Sequence, residues 1–235
     1  MQQVTGTISH RILLNFKVCP DVMTKVLPKE FKPKIINGYC IAGICQVSLT
    51  NMKMKPSIIG FSSHNAAHRI AVDTSQGEGV YVTRRDTNSW LNSLSGGRLF
   101  PGTYNKTKFD VEVSADSYKV SVYEQNAIQM SIDASVVTEL PQGSVFDSVS
   151  DLSNFFKQGN IGWSPKSQPS KYDAIELEAQ NWEMEPLQVH SHYSSYFSDK
   201  SIFPEGSVKF DSAMIMRDIN HSWISRTNLC HLSSL

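Results

Sequence analysis

The sequence predicts a mainly β domain (β-rich α+β), an antiparallel β-barrel or cone with a few short helices at its periphery. Most apolar residues fall in runs with a period of two, and turn residues separate these runs. Helix start and stop signals are confined to a few short segments. The 235 residues contain no repeat, no heptad run and no convincing linker, so residues 1–235 are predicted to form a single domain.

The first elements are a strand, a short helix and a long strand. Ile12–Val18 has the pattern of a strand, and a short helix is predicted from near Pro20 to just before Pro28. The next run, Gly38–Met54, begins with two faces that are both largely apolar. A strand of this kind is buried on both faces, so we expect it to cross the core.

An antiparallel hairpin is predicted next. Its strands, Ala66–Asp73 and Val80–Asp86, flank a glycine-rich turn at Gln76–Gly79. His68 and Arg69 are neighbours in the first strand and therefore point to opposite faces. Consecutive arginines in the second strand do the same, so one of them can enter the interior while the other stays solvated.

The rest of the chain alternates between strands and short helices. A helix over Asn88–Ser95 is predicted to end at the double glycine Gly96-Gly97. The later predictions are a meander (Tyr104–Val113, Ser117–Tyr123, Ala127–Asp133), a helix (Ser150–Gln158), a loop (residues 163–171), a strand (Lys171–Met184), a short helix (His192–Lys200) and a strand (Val208–Met216).

Charge and hydropathy exclude several classes of function. Basic and acidic residues number 22 each, so the formal net charge is zero, and no basic run stands out. We therefore expect no nucleic-acid or membrane partner. The N-terminus is polar, and no apolar stretch approaches the roughly 20 residues that a membrane span requires. These features predict a cytoplasmic protein.

Metal and cofactor sites have little support. His190 and His192 share a strand face, but no third ligand of known spacing accompanies them. The four irregularly spaced cysteines are predicted to be reduced thiols: Cys19, Cys40, Cys45 and Cys230. The sequence has no glycine-rich nucleotide loop, zinc-protease motif or serine-hydrolase elbow, so we predict neither a metal nor a cofactor.

Four polar clusters stand out, at residues 64–69, 84–86, 96–108 and 216–223, and three of them lie on or beside adjacent predicted β elements. Their arginine, histidine and lysine side chains suggest an enclosed polar pocket shared by adjacent strands. We expect His68, Arg98 and Lys106 to meet inside the barrel.

Several phrases resemble a bacterial family of unknown function related to YqjF, within the acetoacetate decarboxylase-like superfamily. They include HNAAHRIAV, GVYVTRRDTNSWLNSLSGGRLFPG and FDSAMIMRDINHSW. The resemblance runs from about Ile8 to Trp223 and implies a β-dominated, cone-like barrel with a cavity. It also implies a departure from the superfamily's chemistry, in which a lysine forms a Schiff base with a β-keto acid. Asn105 falls at that position and Lys106 at the helper position, while His64 replaces a glutamate of the relatives.

Three functions stay open on this evidence. The first is a pocket that binds a small anionic organic molecule such as a carboxylate. Its candidate ligand-binding residues are His64, His68, Arg69, Arg85, Arg98, Tyr104 and Asn105, with added charge from Lys106. The second is a lyase that acts on a keto acid through a Schiff base on Lys106. The third is a structural or partner-binding protein with a packed interior. The sequence leaves the oligomeric state open.

Overall fold

A computed structural model describes residues 3–54, 60–89, 103–166, 168 and 170–226. The described residues form two helices, α1 (Pro20–Val26) and α2 (Val149–Gln158). The strands are β1 (Gln3–Val18), β2 (Lys32–Pro33), β3 (Ile35–Ile36), β4 (Tyr39–Met54), β5 (Phe61–Thr74), β6 (Gly77–Thr87), β7 (Asn105–Lys106), β8 (Lys108–Val113), β9 (Ser117–Glu124), β10 (Ala127–Val136), β11 (Ile161–Pro165), β12 (Tyr172–Ala179), β13 (Glu185–Ser194) and β14 (Val208–Ser225).

Seven strands close into a barrel in the order β1, β4, β5, β6, β11, β12 and β14. The barrel closes because β14 also pairs with β1, from Gln3 opposite Ile224 to Val18 opposite Val208. Every pairing around it is antiparallel except the short parallel one between β6 and β11. The prediction of a mainly β barrel with a few short helices is therefore confirmed.

A second sheet, formed by β8, β9, β10 and β13, covers one side of the barrel. Alternate residues of β1, such as Ile12, Leu14 and Phe16, pack against Val120 and Ile132 of this sheet. The other face of β1 and β4 points into the barrel. Both faces of β4 are consequently buried, as the apolar pattern of this segment predicts.

Helix α2 packs against the barrel's interior residues. Ser148 caps it by accepting a hydrogen bond from the Asp151 backbone N–H at 3.1 Å. Its apolar stripe, formed by Leu152, Phe155 and Phe156, joins a cluster that contains interior residues of four barrel strands. No helix in the described ranges is long and apolar enough to cross a membrane.

Two local predictions are wrong. The predicted loop at residues 163–171 begins inside β11, where Trp163 is fully buried beside Gly79. The predicted helix His192–Lys200 is instead the end of β13 followed by turns. Pairing with β10 dictates this outcome, because Ile132 lies opposite His192 in the second sheet. The predicted helix Asn88–Ser95 lies, after Ser89, outside the described residues, as do Gly96-Gly97.

Candidate functional site

The barrel encloses a cavity of about 100 Å³. All seven barrel strands contribute lining residues, together with Phe156 of α2. Most of the wall is apolar, with Ile8, Val47, Val82 and Leu177 among its residues. The interior pocket is thus less polar than the sequence suggests, and its charge is concentrated in a few side chains.

Arg69, at the centre of β5, is the most deeply buried of these charges. Its side chain is 2% exposed and lines the cavity. One terminal nitrogen donates a hydrogen bond to Asn15 Oδ1, whereas Nε and Nη1 have no hydrogen-bond partner among the described residues. The guanidinium carbon lies 4.3 Å from the centre of the Phe156 ring. Burial lowers the pKa of Arg69 to about 9, so the group still carries its proton at neutral pH.

Arg85, on β6, supplies a second buried guanidinium. Its Nε donates a hydrogen bond to Ser164 Oγ at 2.9 Å, and its guanidinium carbon lies 5.7 Å from the Tyr104 ring centre. The Tyr104 hydroxyl is buried beside this guanidinium, whose charge and hydrogen bond partly offset the effect of burial on the pKa of Tyr104. Burial raises the pKa of Tyr104, which keeps this hydroxyl protonated and able to donate.

Arg11, on β1, completes a set of three arginines around the cavity. Its Nε donates to Cys45 Sγ at 3.4 Å, and its Nη1 lies 3.6 Å from Met216 Sδ. Sulfur is a weak acceptor, and the Trp182 ring, whose centre lies 5.6 Å from the Arg11 guanidinium carbon, adds a cation–π contact. The charge of Arg11 further lowers the pKa of Arg69, after the effect of burial, which places the two cations within electrostatic reach.

The three cavity arginines (Arg11, Arg69 and Arg85) form no ion pair with any carboxylate in the described part of the chain. The carboxylate that does line the cavity, Glu176, is already engaged by Arg226 and by Asn160 Nδ2. Isolated buried charges cost several kcal/mol in a low-dielectric interior. The cavity is therefore electrostatically prepared for an anion.

A series of hydrogen bonds between polar side chains orients Arg69. Asn15 Nδ2 donates to Ser212 Oγ at 3.2 Å, and Ser212 in turn donates to Asp211 Oδ2 at 2.9 Å. The other Asp211 oxygen accepts the Val145 backbone N–H at 2.8 Å. Asp211 therefore orients the arginine through two intervening side chains without neutralising it by direct contact.

Backbone bulges decide which side chains enter the cavity. In the pairing of β5 with β6, His68 lies opposite Arg84 but Arg69 lies opposite Val82, so the register shifts by one residue. The shift puts Arg85 on the same face as Val82 and sends Arg84 to the outside. There Arg84 pairs with Asp86 and Glu124. A similar shift after Ile8 in β1 brings Arg11 to the face of Ile8.

Three of the predicted ligand-binding residues meet at the cavity: Arg69, Arg85 and Tyr104. Four others do not line it: His64, His68, Asn105 and Lys106. Arg98 lies outside the described residues. The expected meeting of His68, Arg98 and Lys106 therefore does not take place as far as the described residues extend.

His68 faces the second sheet, because it is the neighbour of Arg69 in β5. It is fully buried, and its Nε2 lies 3.0 Å from Ser194 Oγ. Burial, and secondarily the charge of Arg84, lowers the pKa of His68 to about 3. It is a neutral core histidine.

His64 also lies outside the barrel. Its Nδ1 is 2.7 Å from Ser48 Oγ, which is 2.9 Å from His10 Nε2. A single hydroxyl thus links two imidazoles, and its one proton can be donated to only one of them. Burial lowers the pKa of His64.

Asn105 and Lys106 form the short strand β7. Asn105 donates to the Arg85 backbone carbonyl at 3.2 Å, and Lys106 is exposed. No described lysine lines the cavity, and Lys55 is the one lysine of the sequence that lies outside the described residues. Among the described residues, no lysine amine lies at the cavity wall, where it could form a Schiff base with a ligand.

Arg11 is the site residue that sequence reasoning missed. A signal was available, because Arg11 stands within the apolar run ISHRILLNF, where a lone charge in a buried strand needs a reason. Among the described residues, no cluster of histidine, cysteine and carboxylate side chains can hold a metal ion. Cys19, Cys40 and Cys45 are free thiols.

A comparison with protein families identifies the family of this chain. The family profile DUF2071, described as an uncharacterized conserved protein, matches residues 5–211. The chain belongs to the DUF2071 family. A comparison with curated protein sequences finds no match for this DUF2071 protein.

Solved structures with the same fold are acetoacetate decarboxylase-like. The acetoacetate decarboxylase of Legionella pneumophila has a TM-score of 0.60 and 11% identity, over 94% of this chain and 84% of that one. An acetoacetate decarboxylase-like enzyme from Sphingomonas wittichii RW1 has a TM-score of 0.62 and 9% identity, over 100% and 92%. The enduracididine biosynthesis enzyme MppR, complexed with pyruvate, has a TM-score of 0.61 and 8% identity, over 100% and 91%. These likenesses confirm the decarboxylase-like fold of this DUF2071 protein.

Proposed function

We propose that this DUF2071 protein binds a small organic carboxylate inside its barrel, and that arginine side chains hold the ligand noncovalently. The supporting observation is the set of three cavity arginines that lack a carboxylate partner within the described residues. A guanidinium offers a planar pair of donors that matches a carboxylate. An anion between Arg69 and Arg85 would compensate the buried charge and use donors that are otherwise idle.

The walls define the rest of the ligand. Valine, isoleucine and leucine side chains surround the arginines, and Phe156 and Trp223 add aromatic surface. The ligand's carboxylate would meet the arginines while its hydrocarbon part contacts the apolar wall. The structure of the fold neighbour MppR was solved with pyruvate, which is a small organic carboxylate.

The alternative is a lyase that uses a Schiff base on Lys106. Lys106 is exposed and does not line the cavity. Its amine therefore cannot reach a ligand that the three cavity arginines hold. The third possibility is a purely structural protein. That function would not explain the buried Arg69 donors that lack partners among the described residues. Arginine-based binding is favoured over both.

Ligand-induced stabilisation of two variants separates these functions. Wild-type protein with pyruvate, 2-oxobutyrate or butyrate at a hundredfold excess over Kd should melt about 5–10 °C higher, because ligand bound only to the folded state stabilises it. Arg85→Met should reduce this shift to about 1 °C or less. Differential scanning fluorimetry gives the measurement.

Lys106→Ala is the matched control, and it should keep the full shift. Loss of the shift in Lys106→Ala with retention in Arg85→Met would contradict the proposal and favour the lyase. The cytoplasmic location, and the expectation of no cofactor, nucleic-acid or membrane partner, stay predictions.

A further inference from the structure

Cys45 is the described cysteine that lines the cavity. It lies on the interior face of β4 and is half-buried. Its Sγ accepts a hydrogen bond from Arg11 Nε at 3.4 Å. Cysteine reacts as a thiolate, and reactive cysteines are typically found next to cationic side chains. The thiol is thus placed in an electropositive cavity.

A second observation points to a ligand at the same place. Arg69 is 98% buried, since 2% of its surface is exposed, and the part of the chain that the structure describes offers its Nε and Nη1 no hydrogen-bond partner. Arg69 lines the same cavity as Cys45, and the sulfur contributes to its electrostatic environment. A molecule that uses these idle donors for its carboxylate therefore brings its carbon skeleton close to the sulfur.

We propose that Cys45 is a nucleophile that adds to α,β-unsaturated carboxylates held in the cavity by Arg69 and Arg85. The inference rests on the proposed carboxylate binding and extends it from noncovalent binding to covalent capture. Arg11 is a positioning residue, which orients and polarises the thiol.

The step is an addition that needs no oxidant or reductant. The Cys45 sulfur donates an electron pair to the β-carbon of the conjugated acid and forms a carbon–sulfur bond. The carbon–carbon π bond breaks, its electrons move to the α-carbon, and the α-carbon takes up the proton that the thiol lost. Arginine contacts with the carboxylate withdraw electron density from the alkene and so favour attack.

Acrylate and acrylamide provide a matched pair of probes, because they differ mainly in the charge of one group. The native protein is incubated with each reagent, digested and analysed by peptide mass spectrometry, with the rate followed separately at every cysteine. We expect the acrylate-to-acrylamide rate ratio to be at least tenfold higher at Cys45 than at half-buried Cys19 in the same sample. Buried Cys40, whose pKa burial raises to about 11, should be nearly inert.

Two variants test the assigned roles. Arg85→Met should lower the ratio at Cys45 towards that of Cys19, because the carboxylate loses its partner. Arg11→Met should slow both reagents at Cys45 and leave Cys19 unchanged. The wild-type ratio needs no variant, so a variant that fails to fold does not remove the test.

The contrary results are distinct. If Cys45 reacts with neither reagent while pyruvate or butyrate still raises the melting temperature, the nucleophile is ruled out and carboxylate binding stands. If Cys45 reacts but its ratio equals that of Cys19, anion selection is absent, which overturns this inference and also counts against the proposed function.

Discussion

Unfolding of this protein between pH 6 and 5 is expected to take up between roughly two and three protons, so stability should fall steeply with acid. Burial lowers the pKa of His10 and of His221 to about 4 and that of His68 to about 3. In the unfolded chain these imidazoles titrate near pH 6.5. Below that pH the unfolded state binds more protons than the folded state, so stability is lost as the pH falls towards the folded values.

The expected loss is about 1.4 kcal/mol per pH unit for each of the three histidines. Urea unfolding at a series of pH values gives this slope. Replacing fully buried His68 by glutamine should remove about one proton from the slope. His190→Gln is the control, because His190 is exposed and its loss should leave the slope unchanged. A stability that is flat between pH 6 and 5 would contradict the assignment of neutral core histidines.

Arg69→Met is expected to stabilise the ligand-free protein by about 1–3 kcal/mol and to abolish carboxylate binding. Within the described ranges the buried guanidinium has no counter-charge, so the folded state bears its desolvation cost. Methionine fills a similar volume without that cost, although Asn15 loses a donor. A gain in stability with a loss of binding is the expected signature of a functional site.

Arg84→Met is the comparison for that result, and its effect should have the opposite sign. Arg84 pairs with Asp86, whose side chain is fully buried. Removing the arginine leaves that carboxylate without its cation, which typically costs 3–5 kcal/mol. Urea midpoints of both variants measure the contrast. If Arg69→Met proves as destabilising as Arg84→Met, then Arg69 is a structural residue and its charge is already compensated.

Much of the fold follows from sequence periodicity. The long strand from Gly38 has two apolar faces because one meets the cavity and the other the second sheet, and that pattern is visible in the residues. The short β11 has no such signal, because prolines and serines surround Trp163 and only pairing with β6 and β12 makes it a strand.

The site is harder to predict for a different reason. Alternation indicates that one of two consecutive arginines enters the barrel, but a bulge determines that it is Arg85. His68 and Arg69 present the same problem. The sequence places both in a candidate cluster. Which face of the strand lines the cavity is seen only in the structure, where Arg69 lines it and His68 packs outside the barrel.

The most direct test of the central idea, an arginine-lined cavity that requires an anion, compares acids with their amides. Isothermal titration calorimetry of the wild-type protein with butyrate and butyramide, and with pyruvate and pyruvamide, isolates the charge of one group. Each acid should bind with 1:1 stoichiometry, and each amide should bind at least tenfold more weakly. Equal affinity for acid and amide, or no binding of either, would mean that the buried arginines serve the fold alone.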